Sequence, residues 1–522
     1  FTIQEIDGIN LGLSYEQGKI GITWPRMRKR LTYRWPRMIP SSDRGIPLHR
    51  GKEISIPYRL LRFPCGDLPE LYRIYFENRK CLVTNKPGEE PGLLGLDDQR
   101  PAILPPAEQF RIQRDKFNSM NWAPQGRFYA VDTLGEPGRQ IWQPGWVGGA
   151  ISSYALMKLG GALEEERALA TLAHLFRTQA PSGFFYESSD ETGKVSLRML
   201  NKPESENWHL LRKSADCLYF IFKHFTLMTE RSVEISREWM GKTKHLADAF
   251  VKLWDKYGQF GQFVDLQTGD ILVGGSTSAA IAPGALVRAF EFFKDPQYLE
   301  TAVAAAEQYY TRDALAGYTT GGPGEILQGP DSESAFALLE SLVTLYEHTQ
   351  QTLWLSRAEY LAWLCSSWVV SYNYRFPPAS EFGRLDMKTT GAVFANVQNK
   401  HAAPGICTLS GDSLLKLYRW TGNSRYLELL KDIALGISQY MSTADRPIYS
   451  WDVPKDASLL RDDSIRAERE KLPQGFICER VNMSDWESER CIGGVFNGSC
   501  WCETSNLLTL AALPDIFPDN ET

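Results

Sequence analysis

The chain has 522 residues, of which 43% are hydrophobic and 23% are charged. This composition excludes a mainly disordered chain, which would be poor in apolar residues and rich in net charge. The formal net charge is -6, and a mildly acidic surface argues against a nucleic-acid partner because it gains nothing from counterion release. No sequence window approaches the ~18 consecutive apolar residues of a transmembrane helix.

Residues 1–105 are rich in Pro, Arg and aromatic side chains and show no sustained helical period. The runs Lys19–Trp24 and Ile54–Tyr58 predict short strands or extended segments. We interpret residues 1–105 as an extended arm or small cap, and residues 106–522 as a helical domain. The segment Pro106–Trp122 predicts one helix.

From Trp142 onward, polar amphipathic helices alternate with more apolar helices that are rich in small residues. The amphipathic helices are predicted at 164–176, 231–254, 295–310, 352–372 and 423–441. The apolar helices are predicted to begin near Gly145, Asn207, Ser276, Asp331, Ala402 and Ser499. A nearly all-apolar helix must be buried, so six such helices predict the inner ring of an all-α (α/α)6 barrel. Pro106–Trp122 would supply the sixth outer helix, and an open α-solenoid is the alternative.

The loops that enter the inner helices converge at one end of such a barrel, where helix N-termini favour anions. The first of these loops carries Trp142, Gln143 and Trp146. Aromatic faces stack on sugar rings and an amide bonds hydroxyl groups, although both Trp side chains are equally suited to a core.

The second entrance combines a carboxylate, an amide, an indole, an imidazole and a guanidinium: Glu206, Asn207, Trp208, His209 and Arg212. A carboxylate at a helix N-terminus is a candidate general acid or general base. The alternative is ordinary capping of the helix by Ser205 together with Glu206.

A later entrance carries Asp331 and Glu333 behind a Gly-rich loop that contains Glu325. Three carboxylates in a short span at a barrel mouth indicate catalysis, although an Asp at an N-cap and a Glu in the first turn are also ordinary helix chemistry. The next entrance carries Asn399, Lys400 and His401, which suit sugar hydroxyls and a carboxylate. A structural histidine is the alternative there.

The last entrance carries Trp501 between Cys500 and Cys502. These cysteines are either free thiols, members of a disulfide that involves Cys478 or Cys491, or ligands of a sulfur-rich zinc site. The paired cysteine spacing that is usual in zinc sites is absent. We predict no metal and no cofactor, since the sequence contains no P-loop, Rossmann fingerprint or HExxH motif.

These entrances resemble those of (α/α)6-barrel carbohydrate-active enzymes, above all the bacterial exo-β-glucuronidases and unsaturated-glucuronyl hydrolases. The resemblance covers roughly residues 140–513 and depends on Gln143-Pro-Gly-Trp146, Asp331-Ser-Glu333 and Asn399-Lys-His401. A more distant likeness, prompted by Cys500-Trp-Cys-Glu503, is to the β-L-arabinofuranosidase barrels that use a zinc-bound cysteine. The first resemblance implies an exo-acting glycoside hydrolase that removes a terminal sugar, above all a uronic acid, from polysaccharide-derived oligosaccharides.

Glycoside cleavage uses two carboxyl groups, and we assign Glu206 and Asp331 as the pair, with Glu333 as the substitute. The two lie on different inner helices, which favours a wide separation and an inverting outcome. The remaining entrance residues are expected to bind the sugar: Trp142, Gln143, Trp146, Asn207, Trp208, His209, Arg212, Asn399, Lys400, His401 and Trp501. Within that set, Lys400, His401 and Arg212 are the expected partners of a substrate carboxylate.

Two other functions stay open at the level of sequence. A polysaccharide lyase would use Asn399, His401 and a tyrosine such as Tyr374 for β-elimination, and a non-catalytic glycan-binding barrel would need no catalytic carboxylate. A polysaccharide substrate and a chain that starts at Phe1 favour a periplasmic or secreted location, with a cytoplasmic one also open.

Overall fold

The computed structural model describes residues 5–6, 9–27, 31–34, 37–41, 43–56, 61–79, 104–131, 141–196, 205–450, 470–484, 492–496 and 498–517. Tyr58 and Cys491, which entered the sequence predictions, lie outside the described residues. No helix in the described part of the chain combines the length and the hydropathy that crossing a bilayer requires.

The arm begins with antiparallel two-stranded hairpins. Their strands are β1 (Glu5–Ile6), β2 (Ile9–Asn10), β3 (Gly12–Glu16), β4 (Lys19–Thr23), β5 (Leu31–Arg34) and β6 (Arg37–Pro40). The strand predicted from Lys19 is confirmed, whereas residues 54–56 form none. The Asn10 amide donates to the Arg375 carbonyl at 2.8 Å, which ties the arm to the main body. The boundary at residue 105 stays a prediction.

The rest of the described chain is mainly helical. Its helices are α1 (Leu68–Asn78), α2 (Pro106–Lys116), α3 (Ala150–Leu159), α4 (Ala162–Arg177), α5 (Leu211–Glu230), α6 (Arg237–Tyr257), α7 (Ala282–Phe293), α8 (Pro296–Arg312), α9 (Ser332–Thr349), α10 (Thr352–Ser366), α11 (Glu381–Arg384), α12 (Asp412–Thr421), α13 (Ser424–Leu435) and α14 (Trp501–Ala512).

The apolar helices α3, α5, α7, α9, α12 and α14 form an inner ring. They pack side by side in chain order from α3 to α12, and α14 packs against α3. Between α14 and α12, the Ser505 hydroxyl donates to the Ile406 carbonyl in the loop that leads to α12. Helices α4, α6, α8, α10 and α13 each pack outside the inner helix that precedes them, and α2 packs outside α14. The chain therefore forms an (α/α)6 barrel with α2 as the sixth outer helix, as the sequence predicts.

Three outer helices begin at a weakly repeated sequence motif, in which a turn residue is followed three positions later by an aromatic residue and Leu. The motif reads Asp295-Pro-Gln-Tyr-Leu-Glu, Gln351-Thr-Leu-Trp-Leu-Ser and Asn423-Ser-Arg-Tyr-Leu-Glu. The side chains of Asp295 and Asn423 accept hydrogen bonds from backbone N–H groups in the first turns of α8 and α13, which satisfies donors that a helix start leaves unpaired. Three residues into each motif, Tyr298, Trp354 and Tyr426 are buried. Each motif therefore starts a helix and fixes which face it turns to the core.

A buried ion pair joins the sixth outer helix to the inner ring. Lys116 Nζ on α2 lies 2.7 Å from Glu503 Oε2 on α14, and both side chains are 0% exposed. Lys116 also donates to Asn121 Oδ1 at 3.0 Å, and Glu503 Oε1 accepts from the Ile477 N–H at 3.2 Å. Nearly all polar atoms of the pair thus have partners, as burial of charge requires.

The interior of the ring is closed by side chains. Glu340 of α9 accepts hydrogen bonds from the Tyr219 hydroxyl of α5 and the Ser413 hydroxyl of α12, and all three residues are buried. The small residues of α7 allow close approach on that side, where the Gly284 N–H donates to Ser341 Oγ at 3.0 Å. The ring is therefore a packed core rather than a channel.

Short strands shape the loops at the inner-helix N-termini. They are β7 (Trp122–Ala123), β8 (Phe128–Tyr129), β9 (Ser188–Ser189), β10 (Val195–Ser196), β11 (Trp208–Leu210), β12 (Phe263–Asp265), β13 (Ile271–Val273), β14 (Val393–Phe394) and β15 (Ala402–Ala403). Two predicted helix starts are wrong for this reason. Trp208 pairs with Asp265 in a strand, so α5 begins at Leu211, and Ala402 lies in β15, well before α12.

Candidate active site at the barrel mouth

Arg212 crosses the mouth of the barrel. It lies in the first turn of α5 and forms an ion pair with Glu333 in the first turn of α9. Its Nε also lies 3.5 Å from Asp216 Oδ2, one helical turn further along α5, and its Nη2 lies 3.3 Å from Thr408 Oγ1. Burial alone would lower the pKa of Arg212, but the two carboxylates raise it above its usual value. The guanidinium is therefore charged and fully engaged by the protein.

Trp146 binds the same two carboxylates. Its indole Nε1 donates to Glu333 Oε2 at 3.1 Å, and its backbone N–H donates to Asp216 Oδ2 at 2.9 Å. Trp146 has a positive φ of 65°, a strained conformation for a bulky residue that is held by its surroundings. The Lys213 ammonium lies 5.5 Å from the ring centroid. The half-buried indole thus forms one wall of the mouth in a fixed orientation.

Asp216 is a site residue that the sequence analysis missed. Burial raises its pKa to about 6, although Arg212 opposes the shift. The available signal was the spacing of Arg212 and Asp216, because residues four apart on a helix lie on one face. An opposite-charge pair at this spacing near the start of an inner helix indicates a polar function at that face.

Asp331 caps α9 from beneath the mouth. Its Oδ1 accepts from the Ser334 N–H at 2.7 Å and its Oδ2 accepts from the Gly322 N–H at 3.0 Å. Burial and then the charge of Glu333 raise its pKa to about 7. Its side chain is 0% exposed, so it holds the Gly-rich loop against α9 and does not open onto the mouth.

Glu325 lies on that Gly-rich loop and is exposed. Its Oε1 accepts a hydrogen bond from Asn399 Nδ2 at 3.2 Å. The protein atoms around it partly desolvate the carboxyl group and, together with the charge of Glu333, raise its pKa. Asn399, predicted as a sugar ligand, thus contacts a carboxyl group of the mouth.

His209 lies below the mouth instead of lining it. It is 0% exposed, and its ring nitrogens lie 3.0 Å from Glu187 Oε2 and 2.7 Å from Ser214 Oγ. Burial lowers its pKa despite the nearby carboxylate. Glu187 also binds Lys213 Nζ at 2.5 Å, so this group supports the start of α5. The predicted sugar contact of His209 is wrong because its side chain is enclosed.

His401 does not carry the charge that the sequence analysis assigned to it. Its side chain is buried with Nδ1 3.0 Å from the Ala402 carbonyl oxygen. Burial, reinforced by the positive charge of Arg480, lowers its pKa to about 3. His401 is therefore neutral at physiological pH and is no ion-pair partner for a substrate carboxylate. Its neighbour Lys400 is exposed.

Two of the predicted aromatic ligands belong to the core. Trp142 is 0% exposed and packs 5.5 Å from the Phe128 ring and 4.9 Å from the His174 ring. Its predicted stacking on sugar is wrong because no face of the indole is free. Trp501 is also buried, in the first turn of α14.

Other predicted ligands lie near the surface. Trp208 is half-buried, with its ring 5.6 Å from the Phe263 ring, and Gln143 and Asn207 are also half-buried. Glu206 is exposed and takes part in none of the hydrogen bonds and ion pairs described for Glu333. The structure thus groups Trp146, Arg212 and Glu333 but does not bring Glu206 into that group.

The C-terminal cysteines are free thiols where they are described. Cys478, Cys500 and Cys502 are buried and unbonded to one another. Within the described ranges, no three His, Cys, Asp or Glu side chains come together in a way that would hold a metal ion. The disulfide and zinc alternatives that involve Cys491 fall outside the described residues, and the free-thiol interpretation stays a prediction.

The sequence matches no protein-family model and no curated protein. Solved structures similar to the chain include a sugar epimerase from a ruminal bacterium, at 10% identity and a TM-score of 0.49 over 78% of this chain and 98% of that one. Another is an unsaturated glucuronyl hydrolase from a Bacillus species, at 13% identity and a TM-score of 0.48 over 77% and 95%. An α-mannanase from Bacteroides thetaiotaomicron has 11% identity and a TM-score of 0.45 over 78% and 94%. The (α/α)6 barrel that the sequence predicts is shown by the helix packing of the chain itself.

Proposed function

We propose that the protein is a glycoside hydrolase in which Glu333 is a catalytic carboxylate. The observation that carries this proposal is the position of Glu333 between the Trp146 indole N–H and the Arg212 guanidinium. A flat aromatic wall beside a carboxylate suits a sugar ring, whose apolar face stacks while its anomeric carbon faces the acid–base group. Convergent helix N-termini stabilise negative charge at the same place.

The electrostatics of the mouth support acid–base chemistry. Glycoside cleavage needs carboxyl groups in different protonation states. Burial raises the pKa of Asp216 to about 6 and that of Asp331 to about 7, and Glu333 forms an ion pair with Arg212. Two carboxyl groups with raised pKa values and a third that is held in an ion pair therefore lie within one site.

The structure supports a different catalytic carboxylate from the pair that was assigned from the sequence, Glu206 and Asp331. Glu333 retains some exposure, at 8%, whereas Asp331 retains none. We therefore assign the catalytic role to Glu333 and a positioning role to Asp331, which holds the start of α9. Glu206 has no assigned part in the reaction.

We further propose that the substrate is an oligosaccharide with a terminal uronic acid. Arg212 is engaged by two carboxylates and His401 is uncharged, so the carboxylate of the sugar needs another cation. Lys400 is exposed, and Arg480 stacks over the Phe496 ring at 3.8 Å near Glu325. A lyase is less well supported, because a buried histidine with a pKa of about 3 is a weak base.

The test is a comparison of wild type with Glu333→Gln on a panel of uronic-acid and neutral oligosaccharides. Release of reducing ends is expected to fall by about 10²- to 10⁴-fold in the variant, the usual contribution of a positioned acid–base group. Gln keeps an acceptor for Trp146, and Asp216 remains beside Arg212, so the fold should persist by circular dichroism. Glu206→Gln is the matched control and should keep wild-type activity.

Three results would contradict the proposal. The first is that wild type releases no reducing sugar from any member of the panel, and the second is that Glu333→Gln retains full activity. An unsaturated product that absorbs near-ultraviolet light would instead identify a lyase, because β-elimination leaves a C=C bond and hydrolysis does not.

A further inference from the structure

The Gly-rich loop before α9 is fixed at both ends. The Gly321 N–H donates to the Gly329 carbonyl at 3.3 Å, and Gln262 Nε2 donates to the Leu327 carbonyl at 2.5 Å. Near its start, the Gly322 N–H is held by the Asp331 carboxylate. A Cβ on Gly322 would lie 2.6 Å from Asp331 Oδ1, so this approach requires glycine. The short 3-10 turn Gly324–Ile326 between these anchors is therefore held in place.

Glu325 is the acidic residue of that turn. Of the carboxyl groups described at the mouth, Asp216, Asp331 and Glu333 are buried, whereas Glu325 is exposed. Its oxygen is oriented by the Asn399 amide, which comes from the loop that precedes α12. An oriented, accessible carboxyl group beside a buried catalytic carboxylate is the arrangement that proton delivery to a bound ligand requires.

The surroundings also favour a proton on Glu325. Desolvation by the protein atoms that flank it is the main reason that its pKa is raised, and the charge of Glu333 adds to the effect. The Asn399 amide and the Arg480 guanidinium oppose the shift without reversing it. These two donors would stabilise the carboxylate once the proton has left.

We infer that Glu325 is the general acid of this site and that Glu333 is its general base. The inference depends on the proposed hydrolase function and deepens it. The Glu325 proton passes to the glycosidic oxygen as the bond from that oxygen to the anomeric carbon breaks. Glu333 takes a proton from a water molecule whose oxygen forms the new bond to the anomeric carbon. Exchange of protons with solvent then restores both carboxyl groups.

The test uses the dependence of the rate on the leaving group. A good leaving group such as 2,4-dinitrophenolate departs without protonation, whereas a sugar alkoxide does not. Glu325→Gln is expected to lower the rate on the natural-type oligosaccharide by about 10²- to 10⁴-fold. On the dinitrophenyl glycoside of the same sugar, the rate should stay within about 10-fold of wild type.

Two control variants distinguish failure of the proposed role of Glu325 from failure of the proposed hydrolase function. Glu333→Gln should lose activity on both substrates, because the water still needs a base. Gln328→Ala, at an exposed position of the same loop, should keep activity on both. An equal loss on both substrates in Glu325→Gln, or no loss on either, would overturn the role of Glu325 while the hydrolase function stands. Failure of wild type to cleave any glycoside would overturn both.

Discussion

Replacing Lys116 with Met is expected to destabilise the barrel strongly. Lys116 is the buried counter-charge of Glu503, with Nζ 2.7 Å from the carboxylate and no exposed surface on either side chain. Met keeps the length of the side chain and removes its charge, so the substitution tests the ion pair with little change in packing.

The size of the effect follows from burial. Removing one partner of a buried ion pair leaves an uncompensated charge and costs about 3–5 kcal/mol. The exposed pair of Lys244 and Asp248 has a similar N–O distance of 2.9 Å, but its side chains are 45% and 34% exposed. Exposed pairs contribute about 0–1 kcal/mol, so Lys244→Met is the matched control.

Urea unfolding followed by far-ultraviolet circular dichroism gives the free energy of unfolding of each variant. The double variant Lys116→Met with Glu503→Gln should recover part of the loss, because no charge then remains buried and Gln still accepts from the Ile477 N–H. The reasoning is refuted if Lys116→Met costs no more than Lys244→Met, or if the double variant is less stable than the single one.

Two further predictions concern Asp331 and Trp142. Because the pKa of Asp331 is raised from 3.8 to about 7, the native state binds a proton that the unfolded state lacks, and this contribution to stability falls as pH rises from about 4 to 7. Asp331→Asn should remove that slope from urea midpoints measured across the range, and an unchanged slope would count against the shift. Trp142→Ala should cost about 3–5 kcal/mol as a core truncation, and Trp208→Ala, at a half-buried position, clearly less. Equal losses in thermal unfolding would contradict the placement of Trp142 in the core.

The barrel could be predicted from sequence because its signals are local. The motifs before α8, α10 and α13 place an aromatic residue three positions into the helix, and Tyr298, Trp354 and Tyr426 are all buried. The errors arose where distant segments decide the local structure. Trp208 lies in a strand because it pairs with Asp265. The sequence pattern near residue 208 does not indicate that distant partner.

The candidate site was predictable only in part for the same reason. Trp146, Arg212 and Glu333 were chosen by residue type at helix entrances, and the fold brings them into contact. Trp142 occurs in the same loop as Trp146 and has the same chemistry, but Phe128 and His174 enclose it. Which of the two tryptophans faces solvent depends on residues far away in the chain. The local sequence does not show which of the two those residues will enclose.

The closed interior of the ring has a kinetic consequence. The buried side chains of Tyr219, Glu340 and Ser413 meet across the ring below the mouth. In the described part of the chain, a ligand that reaches Glu333 therefore has no exit on the far side. A released monosaccharide must leave through the opening that admits the next oligosaccharide. Under the proposed function, the freed sugar and the incoming chain therefore compete for one passage, so accumulated product is expected to inhibit turnover competitively.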